Sequence, residues 1–305
     1  NRRWRSLSEV DLQSSPPVAN PELDALLASF QDLPTIPEVL ARIWQLVDDP
    51  RSSARDLEQV VSLEPPLAAK VLRLANSPYY GGPGRVKDVQ MAITALGFDT
   101  LRNLAVCLSV ASGLVQREAR QNVMDQRELW RHSVSCAVVA RRLARELDIF
   151  DGDDAEELFT AGLLHDIGMF VVALGRPRAY AEVVRVGLEQ GYDQTRAERE
   201  VLGFDHAEVG CAFAQRWHFP FRLQDLIANH HSPAVGDRAT AKHVLSLANA
   251  VAHRVVPTAI LPDFEVRDVD RRDLSALHVD EDTLEELQPE FQRDIDHAQE
   301  FMNLV

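Results

Sequence analysis

An all-α protein of two helical lobes is the fold class this sequence predicts, on three observations. Runs of β-branched residues with a period of two are missing, as is any Asn-Gly or Asp-Gly turn set between apolar runs. Apolar residues recur at spacings of three and four through almost every segment. A chain of 305 residues, 46% of them hydrophobic, is long enough for two packed lobes and apolar enough to give each a core.

Residues 1–20 are polar and rich in Ser and Pro and read as a linker; because residue 1 is Asn, a trimmed chain with an upstream domain is the expectation. The first lobe spans 21–116. In "TIPEVLARIWQLVDD" the residues Ile36, Val39, Leu40, Ile43, Trp44, Leu46 and Val47 form a helical stripe, with Pro37 suited to the first turn. In "SSARDLEQVVSLEPPLAAKVLRLAN", Ser53 and Asp56 form a capping-box pair, and Leu57, Val60 and Val61 form a stripe. Pro65-Pro66 are placed in a turn before the next helix, and Gly81 to Gly84 in a second turn. Trp44, Leu72 and Leu74 lie on or beside these stripes and are expected to pack rather than to bind anything. Two helices follow around Gly97, the second apolar nearly all round.

The second lobe spans 117–256, with the boundary near residue 117. It begins with the helix "RELWRHSVSCAVVARRLARELD", then an acidic loop, "DIFDGDDAEE", then "AGLLHDIGMFVVALG", which looks like one buried helix. Three more segments have helical periodicity: "DHAEVGCAFAQRWHF", "FRLQDLIANHHSP" and "AKHVLSLANAVAHRV". Residues 257–305 form an acidic extension whose last part is an amphipathic helix or pair that packs back or faces a partner.

Composition excludes several functions. A net charge of −15 opposes the phosphate neutralisation on which non-specific DNA or RNA binding depends. The longest uninterrupted apolar-to-small run, Leu104 to Val115, is shorter than the roughly 18 residues a bilayer needs, so no membrane span is expected. The three cysteines, Cys107, Cys136 and Cys211, form no Cys-x-x-Cys pair and suit reduced, buried thiols in the cytoplasm. A strand, glycine loop and helix in succession do not occur, which removes dinucleotide-binding and P-loop enzymes.

His165 and Asp166 interrupt an apolar segment made of Leu163, Leu164, Ile167, Phe170, Val171 and Val172. A buried carboxylate without a partner costs several kcal/mol or takes up a proton. The pair therefore implies a metal ion, a polar network, or the relic of a site. Glu128 and His132 stand four apart and share a helix face. His206, His230 and His231 add imidazoles of the kind that suits iron, manganese or zinc. Taken singly, each has a plainer explanation. Glu128 fits a solvated helix, His206 follows an N-cap at Asp205 with Glu208 three on, and His230-His231 suit a helix C-terminus.

Seven segments in order, from "LPTIPEVLARIWQLVDDP" and "LEPPLAAKVLRLANSPYYG" through "AGLLHDIGMFVV" to "ANHHSP", give the chain a resemblance to the HDOD domain, a bacterial signalling relative of the HD superfamily. It covers roughly Leu33 to His253. The resemblance implies an HD-like lobe behind an N-terminal helical lobe and a role in signal transduction. It also implies a metal site drawn from Glu128, His132, His165, Asp166, His206, His230, His231 and Asn249. Asn249 stands where the superfamily places its last ligating Asp, Met169 where the phosphodiesterase branch (the HD-GYP proteins) has Lys, and no Gly-Tyr-Pro follows His231.

Since an amide is a weak, neutral ligand, the expectation is a non-catalytic cytoplasmic module. It would hold at most one divalent transition metal, if any, and act through signalling proteins, an upstream domain or a nucleotide ligand. The alternative is a metal-dependent phosphohydrolase acting on a cyclic or linear nucleotide.

Overall fold

The structure is a computed structural model, and it describes residues 20–28, 42–43, 45–46, 51–80, 86–115, 124–147, 152–232, 239–257 and 268–303. Every regular element among them is helical, as predicted.

In the first lobe, α1 (Pro21–Ala28) follows Asn20, whose side chain accepts from the amides of Glu22 and Leu23. Helix α2 (Ala54–Ser62) opens on the capping box of Ser53 and Asp56. Pro65-Pro66 do not form the turn; they are the first two residues of α3 (Pro65–Ala75). The first amides of a helix have no partner within it and its φ suits the proline ring, so the prolines start the helix and the turn falls at Leu63-Glu64. Helices α4 (Val89–Leu96) and α5 (Phe98–Val115) flank Gly97, which takes φ +89°, a value few other residues adopt. Leu74 is in the core and Leu72 packs against it. Trp44, Gly81 to Gly84 and the lobe boundary at residue 117 lie outside the described residues.

The centre of the second lobe is α6 (Gln126–Glu146), capped by Asp125 and packed against α7 (Gly152–Leu164) and α13 (Ala239–Val255). Around them run α8 (Ile167–Gly175), α9 (Pro177–Gln190), α10 (Gln194–Leu202), α11 (His206–Arg216) and α12 (Phe221–Asn229). The acidic loop is shorter than expected, since α7 takes in Asp154, Glu156 and Glu157. Carboxylates are favoured in a helix's first turn, and Glu156 is held by Arg141 and Arg145, each 3.1 Å away.

Ala161 to Gly175 is not one helix either. Helix α7 stops at Leu164, His165-Asp166 form a turn, and α8 starts at Ile167. The break lets the two helices pack against different neighbours. A Cβ on Gly162 would lie 2.5 Å from the Cα of Ala137 on α6, and one on Gly168 would lie 1.9 Å from the carbonyl oxygen of His206 on α11. The longer stretch Asp154–Gly175 has the length and composition to cross a membrane, which the shorter run Leu104 to Val115 did not suggest, yet most of it is buried within the bundle.

The C-terminal part packs back on the second lobe. Beyond α14 (Arg271–Leu277), helices α15 (Glu281–His297) and α16 (Gln299–Met302) bury Phe291, Ile295 and Phe301. Trp130 Nε1 donates to the Phe301 carbonyl at 2.9 Å, and Arg142 pairs with Glu290 and Asp294. The lobes meet at Arg141, whose guanidinium lies 4.5 Å from the Tyr79 ring and 5.5 Å from that of Phe159. All three cysteines are free; Cys107 and Cys136 are buried, but Cys211 is partly exposed because its side of α11 is not fully covered.

Candidate metal centre

Four imidazoles from four segments converge on Asp166. His132 comes from α6, His165 from the turn, His206 from the first position of α11, and His230 from the C-terminal end of α12. The local sequence explains each placement. The capping box of Asp205 and Glu208 fixes the start of α11 and so points His206 inward. His230 caps α12, and His231 follows in the same turn.

The carboxylate is shared between two groups. On Oδ2, His165 Nε2 is 3.1 Å and His132 Nε2 3.6 Å away. On Oδ1, His206 Nε2 is 3.3 Å and His230 Nε2 3.4 Å away. His231 Nε2 joins the second group, 2.7 Å from His206 Nε2. Asp166 with His206, His230 and His231 forms one cluster compact enough for an ion, and Asp166 with His132 and His165 forms another.

Three of these rings are oriented from behind. His165 Nδ1 faces the Gly162 carbonyl at 2.8 Å, and His230 Nδ1 faces the Ile227 carbonyl at 2.6 Å. A carbonyl can only accept, so each Nδ1 carries a proton and donates it, which leaves Nε2 as the ring atom that faces the centre. His206 Nδ1 donates to Glu198 Oε2 at 2.6 Å, and the same oxygen accepts from the His206 amide at 2.8 Å. Glu198 is fully buried and was missed in the sequence. It lies eight residues before His206 on another helix, and no spacing rule connects the two.

Electrostatics follow from burial and the two carboxylates. Burial works against charge on His165, but the Asp166 carboxylate outweighs it, with Cys136 adding to the effect, and holds the ring's pKa well above the usual imidazole range. Burial likewise opposes charge on His206, yet Glu198 and then Asp166 push its pKa up to about 10. Asp166 is held well below the usual carboxylate range; burial alone would raise it, and His165 and the other surrounding imidazoles reverse that. His132 lies well below the ordinary value, through burial and then its neighbours His253 and His165. Burial also lowers His230 and His231.

The residues fit a metal ion. Among the described residues, Nε2 of His165 and His230, both ring nitrogens of His132, Oδ1 of Asn249 and Nδ1 of His253 are buried without a well-formed hydrogen bond, the first two facing Asp166. So many unpaired buried polar atoms in one place are rare in folded proteins. The spacings of 3.1 to 3.6 Å around Asp166 match the roughly 3.0–3.5 Å between neighbouring ligand atoms expected at zinc-like bond lengths.

Of the eight residues singled out in the sequence, six come together: His132, His165, Asp166, His206, His230 and His231. Asn249 borders the group beside His132. Glu128 is not in either cluster; it is partly exposed and pairs with Arg131 at 3.5 Å, because its position one turn before His132 puts it near the open end of α6. Replacing Glu198 with Gln keeps an acceptor for His206 but removes the charge behind it. Metal affinity is expected to fall by about 10- to 100-fold with folding intact, as judged by titration and circular dichroism.

A helical bundle that centres imidazoles from separate helices on one carboxylate has the inward-facing ligand arrangement found in helix-bundle proteins that could hold a metal ion. The HDOD domain family matches residues 33–233, and the chain belongs to that family. An HDOD domain protein of unknown function from Geobacter sulfurreducens shares the fold with a TM-score of 0.75 at 22% identity, covering 92% of this chain and 97% of that one. A candidate phosphohydrolase from Shewanella amazonensis superposes with a TM-score of 0.70 at 25% identity over the same shares of the two chains. An uncharacterized protein of Treponema pallidum is 27% identical over 205 residues, which cover 67% of this chain and 38% of that protein. This chain thus spans well under half the length of that curated relative.

Proposed function

We propose that the protein is a non-catalytic signal-transduction module of HDOD type that holds one divalent transition metal and acts through protein partners, an upstream domain or a bound ligand. Charge at the centre carries this reading. Two carboxylates meet the cluster among the described residues, Asp166 directly and Glu198 through His206. One divalent ion balances them; a second would leave a buried excess of positive charge, which is costly. The extra carboxylate that a second ion needs is absent at Asn249, and Glu128 is turned to Arg131.

The Oδ1 group, with Asp166, His206, His230 and His231, has four donors and is the stronger half. Iron, manganese and zinc all suit imidazole with one carboxylate. Burial supports a structural or sensing role, since His132, His165, His206 and His230 are each no more than 1% exposed and leave a phosphodiester little approach. Met169, buried beside the site, offers a substrate phosphate no cation.

Protein purified without chelator is expected to carry one metal per chain by elemental analysis and to leave an activated phosphodiester unhydrolysed. Asn249→Asp should bind metal more tightly, on the order of tenfold, while remaining inert. Two metals with turnover in the wild type would establish the phosphohydrolase alternative.

A further inference from the structure

Among the described residues, every imidazole in contact with Asp166 has a well-formed hydrogen bond behind it except His132. His165 leans on the Gly162 carbonyl, His206 on Glu198 and His230 on the Ile227 carbonyl. Among the described residues neither nitrogen of His132 makes a well-formed hydrogen bond, with only the Asn249 side chain beside it, and its Nε2 is the most distant of the four from Asp166, at 3.6 Å. A ring face stands in place of a hydrogen bond. His253 stacks on His132 with centroids 3.9 Å apart and planes 21° apart, while the His165 ring meets His132 edge-on at 5.3 Å. His253 lies one turn beyond Asn249 on α13, so the two share a face of the helix that packs on α6.

We propose that His253 is the positioning residue for His132, holding by ring stacking an imidazole that no well-formed hydrogen bond fixes. The proposal rests on the metal-centre reading for its consequence, but the contact itself can be tested without metal. A near-parallel stack places the two rings in separate planes, whereas a ligating nitrogen directs its lone pair within its own plane. Stacked rings 3.9 Å apart therefore do not direct both lone pairs at one ion. His253 thus acts through His132, and what it supplies is a flat, neutral face. A ring of similar breadth without nitrogens should serve as well. The Oδ2 half of the centre, made by His132, His165 and Asp166, should depend on that face, and the Oδ1 half should not.

Three proteins decide it: wild type, His253→Ala and His253→Phe. Imidazole nitrogen NMR of metal-free protein should show one ordered environment for His132 in the wild type and in His253→Phe, and a broadened or displaced signal in His253→Ala, with the His230 signals unchanged throughout. Zinc titration should then show binding that involves His132 weakened about 10- to 100-fold in His253→Ala, the range for loss of an outer partner, and restored in His253→Phe. If His253→Phe binds zinc as poorly as His253→Ala, the nitrogen rather than the ring matters and the proposal fails. An unaltered His132 signal in His253→Ala overturns it as well. Absence of zinc binding in all three proteins, with the NMR differences present, would refute the metal reading and leave the positioning role standing.

Discussion

Replacing Asp166 with Asn should abolish metal binding at both halves of the centre together. Its two oxygens are shared, Oδ2 facing His132 and His165 and Oδ1 facing His206 and His230. An amide keeps the shape but offers one weak neutral oxygen and a donor nitrogen that repels a cation. Affinity is expected to drop by more than about 100-fold, beyond the range for removing an outer partner such as Glu198. The metal-free protein should also lose stability, by about 3–5 kcal/mol if His165 stays charged without its partner and by less if it sheds its proton, while His206 keeps Glu198. Metal analysis after purification and a denaturant titration measure the two effects. Retention of a stoichiometric ion in Asp166→Asn would show that the imidazoles alone form the site.

The second large effect is expected at Gly168. An Ala there would set its Cβ 1.9 Å from the His206 carbonyl oxygen and 2.8 Å from the Gly210 amide nitrogen, both backbone atoms of α11. No rotamer change relieves that overlap, so α8 and α11 must separate and His206 must leave Asp166. Overpacking of this kind costs about 3 kcal/mol or more, which in a lobe of this size lowers Tm by roughly 10 °C. Gly210→Ala is the useful control. Its Cβ would meet side-chain methyls of Ile227 at 2.8 Å and Ile167 at 3.3 Å, with backbone no nearer than the Gly168 nitrogen at 3.4 Å, so a smaller loss is expected. Thermal unfolding of the two variants should rank Gly168→Ala well below Gly210→Ala, and Gly168→Ala should also fail to retain metal. Equal stability would mean that the helices do not approach this closely.

Helical periodicity, caps and composition were enough to predict an all-α chain, because those signals are local: Ser53 with Asp56, Asp205 with Glu208, and Gly97 between two helices each act within a few residues. The six residues that meet at the centre were also readable, since His and Asp inside apolar segments need partners and came in a recognisable order. Only the tertiary structure decided that His165-Asp166 break a helix. That break is set by the approach of α7 to α6 and of α8 to α11, at glycines whose own segment gives no sign of the neighbour. Glu198 and His253 escaped notice for the same reason. Each acts on a ring from another helix, through a buried hydrogen bond or a stacked face, and contact between distant parts of a chain leaves no spacing in the sequence.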